Sequence, residues 1–278
     1  MNFKLSEGQQ LLVSTARDFL QRHCPPSVMA ESVASARGFS TELWKEISVL
    51  GWPGLLLPAE YGGSGGTMVD VILLLEEMGR ACFPSPYVQS AVAATSLLLG
   101  AAGSARRERL LPALATGERI CVLALTEESA SIDEAALGLA GELGRKLDGR
   151  KLFVNDAHVA DDLVVVTRGV SGINLFLLDA RLAGIAVSPM EAMAGDRPCE
   201  VVFAGVDLKR EDLLGGEGRG WECLAPALQA GALARAAEMV GCAQRILELC
   251  VDHASPKRIA NYKDGRATDA RGYQVSDA

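Results

Sequence analysis

Between residues 120 and 203 the chain leaves helical periodicity behind. Six short runs, residues 120–125, 151–155, 163–167, 173–178, 185–187 and 200–203, are rich in Val, Ile, Leu and Phe and are separated by Gly, Asp, Asn or Pro. That is the signature of short strands joined by turns. The spacing leaves little room for a helix between most successive strands, and no G-x-G-x-x-G follows a strand, which argues against a doubly wound nucleotide-binding sheet. An antiparallel sandwich or barrel fits the pattern instead. A turn, Lys146-Leu147-Asp148-Gly149, is expected to lead into the second run.

Helical patterns flank this island. Ser6 with Gln9 three residues later is a capping box, and Leu12, Ala16, Phe19 and Leu20 keep one face apolar up to Cys24-Pro25-Pro26, where proline disfavours helix in its predecessor. A second helix fits Ser40 to Leu50, with Leu43, Ile47 and Leu50 inward, and a third carries Val69, Ile72 and Leu73. Small residues from Val88 to Leu99 predict a helix buried on several sides. Ser104 can cap a short helix that Pro112 should end near Leu111. Four glycines within residues 62–66 could bring amides to a phosphate, but the loop lacks the Lys-Ser/Thr ending of a P-loop, so it is read as a tight connector. From Glu222 to His253 the composition suits one long helix, with Gly231 and Gly241 permitting close approach.

A net charge of −8 argues against a nucleic-acid binder, because phosphate neutralisation needs a basic face. The start lacks the order of a signal peptide, and no apolar run approaches the ~20 residues a membrane helix needs. Seven cysteines without a C-x-x-C, and three scattered histidines, indicate neither a metal site nor a secreted disulfide framework. A reducing cytoplasm is the expected setting.

Several segments, in order, resemble the acyl-CoA dehydrogenase family: Pro58-Ala59-Glu60-Tyr61-Gly62-Gly63-Ser64-Gly65, then Glu76-Glu77-Met78-Gly79-Arg80-Ala81, Leu125-Thr126-Glu127, Gly149 to Asp156, Leu214 to Trp221, and Ala236 to Gln244. The resemblance implies a helical region over residues 1–117, a middle antiparallel β-sandwich or barrel over 118–215, and the start of a C-terminal helical bundle over 216–278. It also implies FAD as cofactor and an acyl-CoA thioester as substrate, oxidised to the 2,3-enoyl-CoA by α-proton abstraction and β-hydride transfer to the flavin, as in fatty acid β-oxidation. Electron-transfer flavoprotein or a similar acceptor, and a homo- or hetero-oligomer, come with it. Carried over by position, Leu125, Thr126, Phe153, Val154 and Asn155 are the cofactor-binding candidates. Thr126 offers a hydroxyl or backbone N–H to the flavin pyrimidine, Phe153 is the aromatic beside the ring, and Asn155 replaces a hydroxyl residue.

The departures are informative. Ile132 falls where a hydroxyl is expected, Gln229 and Ala232 replace an Asp and an Arg, and Arg235 is out of register, as a surface or interface charge would be. Residues 256–272 lack the family's arginine-bearing pyrophosphate segment, which a local reading-frame disturbance would explain. By the resemblance, the chain is truncated before the catalytic glutamate, and Glu127, Glu217 and Glu238 do not match its position. The expected activity is therefore flavin-dependent acyl-CoA dehydrogenation, with a non-catalytic structural subunit of a hetero-oligomer, or a related flavin oxidase or monooxygenase, as the alternatives.

Overall fold

A computed structural model describes residues 4–101, 105–192 and 196–254. The tail segment 256–272 and the capping role of Ser104 lie outside them. Seven α-helices are described: α1 (Glu7–His23), α2 (Pro26–Ala34), α3 (Thr41–Val49), α4 (Met68–Arg80), α5 (Thr95–Gly100), α6 (Ala105–Ala115) and α7 (Gly220–His253). Seven strands separate α6 from α7: β1 (Cys121–Ala124), β2 (Lys146–Asn155), β3 (Asp162–Gly169), β4 (Gly172–Asp179), β5 (Ile185–Pro189), β6 (Pro198–Asp207) and β7 (Leu213–Leu214).

The helix starts follow their caps. The Ser6 hydroxyl accepts from Gln9 N–H while the Gln9 side chain accepts from Ser6 N–H, opening α1. Ser40 caps α3 by accepting from Leu43 N–H. Two expectations for the helices need correction. Leu50 lies outside the buried side of α3, whereas α4, the third helix read from the sequence segments, packs inward through Val71, Leu74, Leu75 and Met78. Pro112 does not end α6, which runs on to Ala115 because Leu110, Leu111, Leu114 and Ala115 are all buried against the core, and that burial outweighs one lost backbone hydrogen bond. As expected, α1 stops before Cys24-Pro25-Pro26, and the chain then restarts at once as α2, with Pro26 at the first helical position, where a missing N–H costs nothing.

The small-residue stretch is a π-helical segment, Val88–Ala94, continuous with α5 and buried almost throughout. The Thr95 hydroxyl donates to Ser90 O, five residues back, and the Ser90 hydroxyl accepts from Cys121 N–H of β1. The widened turn thus ties the helices to the sheet.

The β region forms two sheets, β1-β3-β4-β7 and β2-β6-β5. All pairings are antiparallel except β1 with β3. β3 and β4 are buried on both faces, which is why they read as unbroken apolar runs. Leu163, Val165, Phe176 and Leu178 face the second sheet, meeting Leu147, Val154, Val201 and Phe203. Val164, Val166, Leu175 and Leu177 face the helices, meeting Leu97, Leu98, Leu111 and Leu224. The first sheet is therefore the middle layer between helices and the second sheet. Lys146-Leu147-Asp148-Gly149 is not a turn but the first half of β2, bulged where Gly149 pairs with Phe203.

The glycine-rich connector spends its amides on itself. Gly63 N–H donates to Pro58 O, Ser64 to Gly54, Gly65 to Leu57 and Gly66 to Leu55, so none of these four is left to hold a phosphate. The long helix α7 crosses α4 at two glycines: a Cβ on Gly79 would overlap the Glu238 carbonyl, and one on Gly241 the Glu76 carbonyl. Glu77 on α4 accepts a bidentate pair from Arg17 of α1, and Arg80 reaches Glu248 of α7 in the same way. Those pairs fix the three helices against one another.

Candidate functional site

β1 ends at Ala124, and the next three residues are held to β2 from both sides. Leu152 N–H donates to Thr126 O at 2.8 Å, while the Thr126 hydroxyl donates to Leu152 O. The Thr126 hydroxyl proton is thus engaged inside the protein, and the backbone N–H is the donor it can offer outward. Leu125 is buried.

Beneath this clamp sits Lys151, whose side chain has no solvent exposure. Its ammonium donates to Leu125 O at 2.9 Å and to Glu127 Oε1 at 2.6 Å. The Glu127 carboxylate also accepts from Gly138 and Leu139 N–H. Burial works against this carboxylate, but the ammonium and the two amides outweigh it and hold the group below the usual glutamate range. The buried lysine is satisfied by a charge and a carbonyl, as a buried cation must be.

With Thr126 and Lys151 fixed, β2 bulges. Lys151 pairs with Val201 and Val154 with Cys199, so Leu152 and Phe153 are pushed out of register. Phe153 takes the left-handed conformation, φ 55°, and the residue is 45% exposed. A bulky residue there stores about 1–3 kcal/mol of strain. An ordinary core role for this aromatic is thereby ruled out. Val154 turns back into the core at 2% exposure, and half-buried Asn155 pairs with Pro198 at the strand end. The sequence candidates Leu125, Thr126, Phe153, Val154 and Asn155 therefore come together at one ledge, of which Phe153 is the exposed face and Leu125 and Val154 the buried support. Ile132 is also exposed, in the loop that follows Glu127.

The ledge faces charge that the sequence did not single out. Asp156, left-handed at φ 61°, has its carboxyl pushed up to about 6 by burial, with Asp196 and Glu238 raising it further and Arg235 of α7 opposing. Arg235 donates to Glu238 at 2.7 Å, and burial raises the Glu238 carboxyl as well. Arg235 is half exposed and paired within α7 to Glu238, with its charge near Asp156 at the strand end. Glu217 is exposed in the loop before α7. A lysine at an inward strand position was the one sequence signal for the Lys151–Glu127 latch; nothing short of three dimensions brings Asp156 to α7. Among the described residues no group of three or more His, Cys, Asp or Glu could hold a metal ion.

A flat aromatic surface, an outward N–H and a strand-end carboxamide suit a planar heteroaromatic ligand with acceptor atoms along its edge. Residues 6–118 match the family profile for the acyl-CoA dehydrogenase N-terminal domain. The short-chain-specific acyl-CoA dehydrogenase of Clostridium acetobutylicum is 28% identical over 257 residues, 88% of this chain and 67% of that protein. The caffeyl-CoA reductase-Etf complex subunit CarC of Acetobacterium woodii is 27% identical over 277 residues, 93% of this chain and 73% of that protein. The butyryl-CoA dehydrogenase structure from Megasphaera elsdenii superposes with a TM-score of 0.81 at 26% identity, covering 92% of this chain and 71% of that one. The chain thus spans about two thirds of the length of these relatives.

Proposed function

We propose that this chain, which has an acyl-CoA dehydrogenase N-terminal domain and the fold of that family, holds FAD on the Thr126–Phe153 ledge and takes part in the oxidation of an acyl-CoA thioester. The observation that carries the reading is Phe153, an aromatic left exposed in a strained conformation at the β2 bulge, where it fills no core. A flavin ring lying on Phe153 would give that strain a purpose. Thr126 N–H and the Asn155 carboxamide would donate to the ring's heteroatoms, and the Lys151–Glu127 latch beneath would keep the ledge rigid. FAD, when bound, supplies the acceptor for a hydride leaving the substrate β carbon. The reading extends to three units, residues 1–117, 118–215 and 216–278, with the flavin between the last two.

Glu127 does not suit the role of base in this reaction: its carboxylate oxygens are engaged by Lys151 and two amides inside the protein, which lower its affinity for a proton. A base from elsewhere is needed to take the α proton. A second reading therefore stands beside the first, in which the chain is a structural subunit whose partner supplies that base. It is favoured by the apolar residues that α7 leaves exposed, Met239, Val240, Ile246, Leu247 and Val251. Electron-transfer flavoprotein or an equivalent acceptor is the proposed redox partner, CarC being a subunit of an Etf complex. No helix among the described residues is long and apolar enough to cross a membrane.

The two readings separate on one preparation. The purified chain is reconstituted with FAD, made anaerobic and mixed with short and medium acyl-CoA thioesters. Bleaching of the flavin band supports dehydrogenation by this chain. A bound flavin that no thioester bleaches until a partner chain is added supports the subunit reading. Reduction by NADPH, with no response to thioester, would overturn both in favour of an oxygen-using flavoenzyme.

A further inference from the structure

The last turn of α4 closes in an unusual way. Cys82 N–H donates to Gly79 O at 3.0 Å and Phe83 N–H to Met78 O at 3.0 Å, the pattern of a Schellman ending. Glycine normally takes the left-handed position of that motif, but here it is Cys82, at φ 48°. The thiol is thus placed by helix termination rather than by a free loop. Facing it runs α7, packed backbone on backbone where Gly79 meets Glu238 and Gly241 meets Glu76. Cys242 follows Gly241 directly, and a Cβ added to Gly241 would lie 3.0 Å from the Arg80 nitrogen, two residues before Cys82, so the crossing brings the two thiols close enough to interact. Cys82 is exposed and Cys242 half-buried, so a small reagent reaches the first and the second is screened behind it.

We propose that Cys82 and Cys242 form a redox site, in which a small-molecule disulfide oxidises the pair to a bond stapling the end of α4 to the middle of α7. The Cys82 thiolate attacks one sulfur of the reagent, forming a mixed disulfide and releasing one thiol. The Cys242 thiolate then attacks the Cys82 sulfur and releases the second thiol. Two electrons and two protons pass from the protein to the reagent, which leaves as two thiols. Burial and the neighbouring sulfur hold the Cys82 thiol above its ordinary pKa, so the exchange is slow at neutral pH and quickens in mild alkali. The bond closes a long loop, the case in which a cross-link restricts the unfolded chain most. This site does not depend on the flavin reading. It would nevertheless act on the same helix, because Glu238 beside Asp156 is one turn before Cys242.

The remaining cysteines provide internal controls. Cys24, Cys121 and Cys199 are buried, and the Cys223 thiol donates to Gly100 O. Only Cys250, further along α7, is as open as Cys82. The test is to incubate the full chain with oxidised glutathione at pH 8.5, quench with acid, count free thiols in denaturant and map unreduced peptides. The expected result is a fall from seven thiols to five, a Cys82–Cys242 cross-linked peptide, and a Tm several degrees higher that dithiothreitol reverses. Cys82→Ser and Cys242→Ser should each abolish the bridge, while Cys250→Ser should not. An unchanged thiol count, glutathione persisting on Cys82, or a bridge that includes Cys250 would overturn the proposal, and the wild-type peptide map reads all three without any variant.

Discussion

Phe153 is where local and global demands on this chain conflict. Replacing it separates the two. Phe153→Ala keeps the strained φ and removes the ring, whereas Phe153→Gly removes both. The Gly variant should be more stable than the Ala variant by about 1 kcal/mol in denaturant unfolding; equal stabilities would mean that the bulge carries no strain. Asp156 gives a second residue-scale test. Its folded carboxyl titrates near 6, above the ~3.9 of an unfolded aspartate. The folded chain therefore binds the proton more tightly, and stability should decline as pH rises from ~4 to ~6. After allowance for solvent screening, the wild type should lose about 1–2 kcal/mol over that window relative to Asp156→Asn. Parallel pH profiles of the two proteins would contradict the burial assigned to Asp156 beside Arg235 and Glu238. At this scale the sequence was half legible. Thr126 and Phe153 could be placed by their neighbours in the chain, but the Thr126 hydroxyl is spent on Leu152, and the bulge that exposes Phe153 depends on pairing with β6. Neither is visible before the strands are paired.

Among the elements, α4 and α7 make the sharpest claim. Gly79 and Gly241 sit where each helix lies on the other's carbonyls, while Gly231 stands off, 3.6 Å from the Ala93 Cβ for an added methyl. Gly79→Ala or Gly241→Ala should therefore force the helices apart and cost about 3 kcal/mol or more. Gly231→Ala should be neutral or stabilise by ~0.5–1 kcal/mol through helix propensity. Similar effects at all three positions would show that the crossing is looser than described. Gly231 and Gly241 look alike in sequence; only the crossing point distinguishes them. Element order was largely readable, because caps at Ser6 and Ser40 and apolar runs in β3 and β4 are local signals. Element faces and ends were not. Local period does not settle Leu50 or Pro112, because burial by distant elements decides which side packs and where a helix stops. The same holds for β2, where a Gly-containing stretch that suits a turn is drawn into the sheet by β6.

For the whole molecule, two claims follow from its surfaces. Met239, Val240, Ile246, Leu247 and Val251 are all more than half exposed on α7. Such an apolar face favours association. The chain should sediment as an oligomer, and Val240→Glu with Leu247→Lys should shift it towards monomer without loss of helix signal. A wild type that stays monomeric at tens of micromolar would contradict this. The second is the central proposal, that a flavin lies over Phe153. Titration of FAD into the purified chain, followed by quenching of flavin fluorescence, tests it directly. Saturable binding by the wild type is expected, with binding by Phe153→Gly about five- to tenfold weaker, in keeping with ~1–1.5 kcal/mol for one lost aromatic contact. Equal affinity in the two proteins, or no binding by either, would contradict it.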